Sequence, residues 1–118
     1  MTNTINESKR QKPAVLFMCG GINEISTQFV VMLQYCRRKN LKVVDFFFET
    51  SGIARDNKAC YDELMAYIRY VKEKTAVVFY DNNNFHKYAD TNDFLRFTAT
   101  KQIELHLAKN HIILGDQS

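Results

Sequence analysis

Ala14-Val15-Leu16-Phe17-Met18-Cys19-Gly20-Gly21 is a continuous apolar run that ends in two glycines. A strand buried on both faces of a parallel sheet has such a run, whereas a strand with one wet face alternates apolar and polar residues. After the glycines, apolar residues recur at helical spacing from Ile22 to Cys36. A buried strand that leads through a glycine turn into an amphipathic helix predicts the opening of an α/β domain.

Further strands are predicted wherever short apolar runs return. They fall at residues 41–48, 76–80 and 102–107, with a short extended piece at 111–114. Their length and their content of Val, Ile and Phe favour strands over helices. Strict alternation within residues 41–48 points Phe47 away from Phe46 and Phe48, and we expect burial on both faces of the sheet to accommodate all three rings.

Three helices are predicted between these strands. The first extends from Asn23, a suitable N-cap, to about Asn40, which tolerates the left-handed conformation at a helix end. Its apolar stripe consists of Ile22, Ile25, Phe29, Leu33 and Cys36, widened by Val30 and Met32. The second helix carries Cys60, Leu64, Tyr67, Ile68 and Val71 on one stripe. The third begins at Asp90 or Thr91 and continues to about Thr100.

This order predicts one α/β domain over residues 14–118, after a flexible polar leader at residues 1–13. We expect a mainly parallel sheet of four to five strands flanked by helices. No apolar run approaches the roughly 20 residues that span a bilayer, and residues 1–12 have no hydrophobic stretch of signal-peptide type. The three cysteines are widely spaced and odd in number. Reduced thiols in a cytoplasmic protein are therefore expected.

In parallel sheets the functional crevice lies beyond the carboxyl ends of the strands. That rule brings together the loops at residues 19–23, 49–57 and 81–87. Cys19 there is either a nucleophile with a lowered pKa at a helix start or a small buried hydrophobic residue. His86 is either a general base or a solvated loop residue.

Several segments follow one another in a fixed order and spacing. They are residues 14–21, Gln28 followed by Leu33-Gln34-Tyr35, Glu49-Thr50-Ser51-Gly52, residues 76–80, and Asn83-Asn84-Phe85-His86-Lys87. This arrangement resembles the catalytic domain of serine recombinases, the resolvase and invertase family, from Ala14 to about Leu114. The resemblance implies a fold like that of the resolvase catalytic domain.

The chemical groups of that family are largely replaced. Its first motif has Tyr, Arg and a nucleophilic Ser where this chain has Phe17, Cys19 and Gly21. Its last motif has Asp-Arg and a final Arg where this chain has Asn83, Asn84 and Lys87. Strand cleavage needs a hydroxyl to attack the phosphate and arginines to hold its oxygens. Loss of the nucleophile and of most of the arginine cluster is expected to abolish recombination by this mechanism.

The leading hypothesis is therefore a non-catalytic recombinase-like domain. It would act by protein–protein contact in DNA recombination or another DNA-processing setting, with a protein partner or as a homo-oligomer. The family continues into a long dimerising helix and usually a separate DNA-binding domain. Because this sequence stops at Ser118, DNA recognition by that route is not expected.

Two alternatives remain open. A weak binder of DNA or a phosphate ligand would use the basic leader together with Arg37, Arg38, Arg55, Lys58 and Lys87. Arg55 is also the nearest candidate for the arginine that follows the family's Ser-Gly loop. The net charge of +3 permits such binding without requiring it. An unrelated small α/β enzyme would use Cys19 or His86. The spacing of cysteines and histidines implies no metal and no cofactor.

Overall fold

The computed structural model describes residues 11–50, 59–88, 91–100 and 102–114. The elements in chain order are β1 (Lys12–Gly20), α1 (Ile22–Arg38), β2 (Leu41–Thr50), α2 (Ala59–Arg69), β3 (Thr75–Phe79), α3 (Asn82–Tyr88), α4 (Thr91–Thr100), β4 (Ile103–Leu107) and β5 (Ile112–Leu114). No helix in these ranges is long and apolar enough to cross a membrane.

The strands form one five-stranded sheet in the order β2-β1-β3-β4-β5. The first four strands are parallel, and β5 is antiparallel to β4. This confirms the predicted α/β fold with a mainly parallel sheet. The chain moves from β1 outward to β2 and then returns to the far side of β1. The topological switch point therefore lies between β1 and β3, where a crevice opens at the carboxyl ends of the strands.

The sheet has a buried core on each face. On one face Val15, Phe17, Val77 and Phe79 pack against α2, α3 and α4, which contribute residues such as Leu64, Phe85 and Phe94. On the other face Ala14, Leu16, Met18, Ala76 and Val78 pack against Met32, Tyr35 and Cys36 of α1. Burial on both sides explains why β1 and β3 are continuous apolar runs rather than alternating ones.

The buried stripe of α1 differs from the predicted one. The buried residues are Gln28, Met32, Tyr35 and Cys36, whereas Ile22, Val30 and Leu33 are exposed. The helix is rotated because two of its polar residues have partners in the core. Gln28 bonds the backbone of β1, and the Tyr35 hydroxyl bonds His106. A polar side chain that has hydrogen-bond partners can be buried at little cost. With Gln28 and Tyr35 on the buried side of the helix, Ile22, Val30 and Leu33 lie on the outer side.

Strand β2 contains a bulge that reverses its side-chain alternation. Ala14 pairs with Val43 but Val15 pairs with Asp45, so Val44 is the extra residue. Beyond the bulge, Phe46 and Phe48 lie on the α1 side, where Phe46 contacts the ring of Phe29. Phe47 lies on the other side against Tyr67. The predicted opposition of Phe47 to its neighbours is confirmed.

The expected burial of all three rings is wrong. Phe46 is 47% exposed and Phe48 is 44% exposed, because β2 is the edge strand of the sheet. Two smaller predictions also change. The segment at residues 81–87, expected to be a loop, contains helix α3, and α1 has its N-cap at Gly21 rather than Asn23. The left-handed Asn40 after α1 is confirmed, with φ of 57°.

Candidate functional site

The end of β1 is fixed to α1 by the side chain of Gln28. Its Nε2 donates a hydrogen bond of 2.8 Å to the Cys19 carbonyl, and its Oε1 accepts one of 3.2 Å from the Cys19 N–H. Both bonds are buried, and they occupy the polar atoms of the amide. Gln28 therefore positions the crevice floor.

Gly20 and Gly21 make the turn from β1 into α1. Gly20 has φ of +132°, a conformation that L side chains rarely adopt, and a Cβ there would lie 2.7 Å from the Glu24 Oε1. The same Oε1 accepts a hydrogen bond of 2.7 Å from the Gly21 N–H. The Gly-x-x-Glu spacing is thus half of a capping box, a signal that the sequence carried. Gly21 serves here as a helix N-cap.

Two more carboxylates at this edge also act as helix caps. Glu49, at the end of β2, accepts hydrogen bonds from the N–H groups of Cys60 at 2.7 Å and Tyr61 at 3.4 Å. Asp81 accepts one from the Asn84 N–H at 2.9 Å. Acidic groups at helix starts are favourable because the free N–H groups and the helix dipole attract negative charge.

These carboxylates surround Cys19, which is 3% exposed. Burial raises the pKa of the Cys19 thiol to about 11; Lys87 opposes this shift, and the charges of Asp81, Glu24 and Glu49 add to it. A nucleophilic cysteine needs the opposite environment, electropositive and partly exposed. The geometry therefore favours the interpretation of Cys19 as a small buried hydrophobic residue.

We expect Cys19 to react slowly with thiol reagents. With a pKa of about 11, about one thiol in a thousand is ionised at pH 8, and burial blocks access to it. Labelling of the native protein with a disulfide reagent, followed by peptide mapping, should show Cys60, the least buried of the three cysteines, reacting first. A Cys19→Ser variant is expected to keep the same fast phase. Rapid loss of the Cys19 thiol at neutral pH would restore the enzyme hypothesis.

The other crevice candidates lie on α3. His86 is exposed and contacts the ring of Phe85 with centroids 5.2 Å apart. Asn83 is exposed, and the Asn84 Nδ2 is buried without a hydrogen-bond partner among the described residues. Lys87 is exposed and close enough to Cys19 to affect its pKa. The structure thus brings Cys19, Gln28 and Lys87 together at the carboxyl end of the sheet.

The three predicted phosphate-binding residues that the structure describes, Arg37, Arg38 and Lys87, do not converge. Arg37 and Arg38 are in the last turn of α1, which leads to the amino end of β2. Lys87 follows β3 at the opposite, carboxyl edge of the sheet. Arg55 and Lys58 lie outside the described residues. Within the described part of the crevice, the charges that act on Cys19 are one ammonium, Lys87, and three carboxylates, Glu24, Glu49 and Asp81. That balance of charge disfavours a phosphodiester.

A small cleft opens beside the start of α1. It has a volume of about 320 Å³ and is lined by Asn23, Glu24, Thr27, Gln28 and Tyr80. The Lys109 ammonium lies 5.5 Å from the centre of the Tyr80 ring. The Gln28 and Glu24 side chains that line it already form hydrogen bonds with the backbone of the turn after β1. Their role is therefore to hold this turn in place.

No family model matches this chain, and no curated protein is similar to it in sequence. The candidate sites are therefore judged on their geometry.

A buried polar chain crosses the α1 face of the sheet, and sequence reasoning missed it. The Tyr35 hydroxyl lies 2.6 Å from the His106 Nδ1, and the His106 Nε2 lies 2.8 Å from the Glu104 Oε1. Glu104 also accepts a hydrogen bond from Lys12, whose side chain is 35% exposed. Tyr35, His106 and Glu104 are all at most 3% exposed.

The charges of these hydrogen-bonded side chains offset each other. Burial alone would raise the pKa of Glu104, but the hydrogen bonds and charges of Lys12 and His106 lower it. Burial also raises the pKa of Tyr35 to about 12, so the phenol stays protonated. The described residues contain no cluster of His, Cys, Asp or Glu suited to a metal. The chain of bonds therefore joins α1, β1 and β4 as a structural network.

The second candidate surface is apolar and lies on the outside of β2 and α1. We define the edge face as Val30 and Leu33 of α1 with Phe46 and Phe48 of β2, which are between 38% and 54% exposed. A cleft of about 470 Å³ shares Val30 and Leu33 with this face, and its lining also includes Leu41 and Val43. Scattered exposed apolar residues are ordinary, but adjacent ones that include two aromatic rings indicate a contact surface.

Proposed function

We propose that this chain is a non-catalytic domain that acts by protein–protein contact through its edge face. The observation that carries the proposal is the exposure of Phe46 and Phe48 beside Val30 and Leu33 on the outer strand and helix of an otherwise well-buried α/β core. Burial of large aromatic side chains supplies much of the binding energy at protein interfaces.

The crevice supports the absence of catalysis. Its floor is a glycine turn whose Gly21 N–H bonds Glu24, and its thiol is buried with a raised pKa. Transfer of a phosphoryl group would require donors that stabilise negative charge as it develops. In the described part of this crevice the charges near Cys19 are three carboxylates and the Lys87 ammonium.

The setting of DNA recombination or DNA processing rests on the resemblance of the sequence to serine recombinases. A cytoplasmic location is part of this proposal, and the odd number and wide spacing of the three cysteines support it. Direct DNA contact is weaker as a proposal, because Arg37 and Arg38 lie at the opposite end of the sheet from Lys87.

A photocrosslinking phenylalanine analogue at Phe46 tests the contact. In cells that produce the full chain, this position is expected to give a discrete crosslinked protein, identified by mass spectrometry. The matched control places the analogue at Tyr70, which is 79% exposed but belongs to the end of α2. Equal products from both positions, or none from Phe46, would contradict the contact.

The absence of catalysis is tested separately. The full chain is incubated with supercoiled and linear DNA, quenched in denaturant and examined for covalent protein–DNA adducts. No strand cleavage and no adduct are expected. A protein–DNA ester through any serine would overturn the proposal.

A further inference from the structure

Strand β2 is an unusually long edge. It has ten residues, and its one strand neighbour in the described part of the chain is β1. The opposite edge is formed by β5, with three residues. A long exposed edge presents a row of backbone donors and acceptors that can pair with another strand, and proteins either protect such edges or use them for association.

The edge face is charged with opposite signs at its two ends. Because α1 returns the chain from the end of β1 to the start of β2, the last turn of α1 and the first residues of β2 share one end. That end carries Arg37, Arg38, Lys39 and Lys42, all exposed. The other end carries the exposed Glu24 in the first turn of α1 and the half-buried Glu49 near the end of β2, whose carboxylates also cap α1 and α2. The apolar residues lie between the two.

A surface with this polarity is complementary to itself when it is turned around. A two-fold axis perpendicular to the sheet, near Phe46, makes the two copies of β2 antiparallel. The basic end of each copy then faces the acidic end of the other, and Lys42 of each approaches Glu49 of the second copy. At the centre the Phe46 rings of the two copies approach each other, with the exposed Asp45 of each copy beside them. Closed two-fold contacts of this kind are the commonest form of self-association.

We infer that the occupant of the edge face is a second copy of this chain, paired antiparallel along β2 to give a continuous ten-stranded sheet. Parallel association would bring like charges together and is disfavoured. This inference rests on the proposed function, because it names the partner at the contact face.

Sedimentation velocity of the purified full chain tests the inference. A dimer is expected. Its dissociation constant should be lower at low salt and higher at high salt, because opposite charges meet at both ends of the contact and salt screens their attraction. Lys42→Glu is expected to raise the dissociation constant by about tenfold or more. Lys72→Glu makes the same change of charge at an exposed residue after α2, and is expected to leave the constant unchanged.

Photocrosslinking between isotope-labelled and unlabelled copies tests the position of the contact. A mixture of unlabelled and ¹⁵N-labelled chains with the photocrosslinking analogue at Phe46 should give mixed products that join β2 peptides of two copies. Circular dichroism confirms that each variant is folded. A chain that stays monomeric at all concentrations, or a dimer that Lys42→Glu leaves intact, would overturn the inference.

The same data separate the two proposals. If the purified chain is monomeric while Phe46 crosslinks a different protein in cells, self-pairing is wrong and the contact function stands. If Phe46 crosslinks nothing in either experiment, both are wrong.

Discussion

Glu104→Ala is expected to lower the free energy of unfolding by about 3–5 kcal/mol, the loss that follows removal of one partner from a buried charged pair. The Glu104 carboxylate bonds both Lys12 and His106, and its residue is 2% exposed. The alanine leaves a cavity, and the His106 Nε2 loses its carboxylate partner. Urea unfolding followed by circular dichroism measures the change.

Two matched variants define the cause. Glu63→Ala removes an exposed carboxylate from α2 and is expected to change stability by less than about 0.5 kcal/mol. Lys12→Ala is expected to cost less than Glu104→Ala, because the Lys12 side chain is 35% exposed and remains partly hydrated. Similar losses from Glu104→Ala and Glu63→Ala would show that the network contributes nothing.

The network also gives stability a dependence on pH. The pKa of Glu104 is lowered in the folded chain below its usual value of 4.5. When the pH falls below that value, the unfolded chain binds the proton more readily than the folded chain does. The contribution of Glu104 is therefore complete above about pH 4.5, and it is lost as the pH falls through the folded pKa. The stability gap between the natural chain and Glu104→Gln should narrow over that range; a constant gap would contradict the shift.

Gly20→Ala is expected to destabilise the fold by about 1–3 kcal/mol. The φ of +132° is unfavourable for alanine, and the new Cβ would lie 2.7 Å from the Glu24 Oε1. The measurement is again urea unfolding. Ser26→Ala, at an exposed position of α1, is the control and should have little effect.

The double variant Gly20→Ala with Glu24→Ala separates the two causes. It removes the close contact but keeps the backbone strain, and it also loses the bond from the Gly21 N–H. Most of the destabilisation should therefore remain. Full recovery of stability would show that the contact with Glu24, and not the backbone conformation, makes glycine necessary.

Much of the fold follows from local pattern. The apolar runs that contain Phe17 and Val78 predict the central strands because burial on two faces removes polar alternation. The α1 stripe was predicted less well. Periodicity counts apolar residues, and it cannot foresee that Gln28 and Tyr35 find buried partners nine and seventy-one residues away.

The sequence predicted the location of the candidate site better than the chemical roles of its residues. The rule that crevices lie at the carboxyl ends of parallel strands correctly brought Cys19 near Lys87. It could not show that Glu24 and Glu49 form hydrogen bonds with the first N–H groups of helices. The sequence alone does not distinguish a glutamate that caps a helix from one that binds a ligand. The His106–Glu104 pair was hidden in the same way, since a strand with polar residues at alternate positions normally indicates a wet face.

The bulge at Val44 is where β2 changes the numbering of the residues that face α1. Before Val44 the odd-numbered residues of β2 face α1, and after it the even-numbered residues do. A shift of one residue moves the side chains of a strand segment to the opposite face of the sheet. Deletion of Val44 would remove only the extra residue, and the remaining strand would alternate regularly with Leu41, Val43, Phe46 and Phe48 all on the α1 side. Straightening β2 with Val44 in place would instead turn one of these two pairs away from the helix. A lineage could therefore lose the bulge through a single codon deletion and keep the aromatic surface, with every remaining side chain on its present side of the sheet.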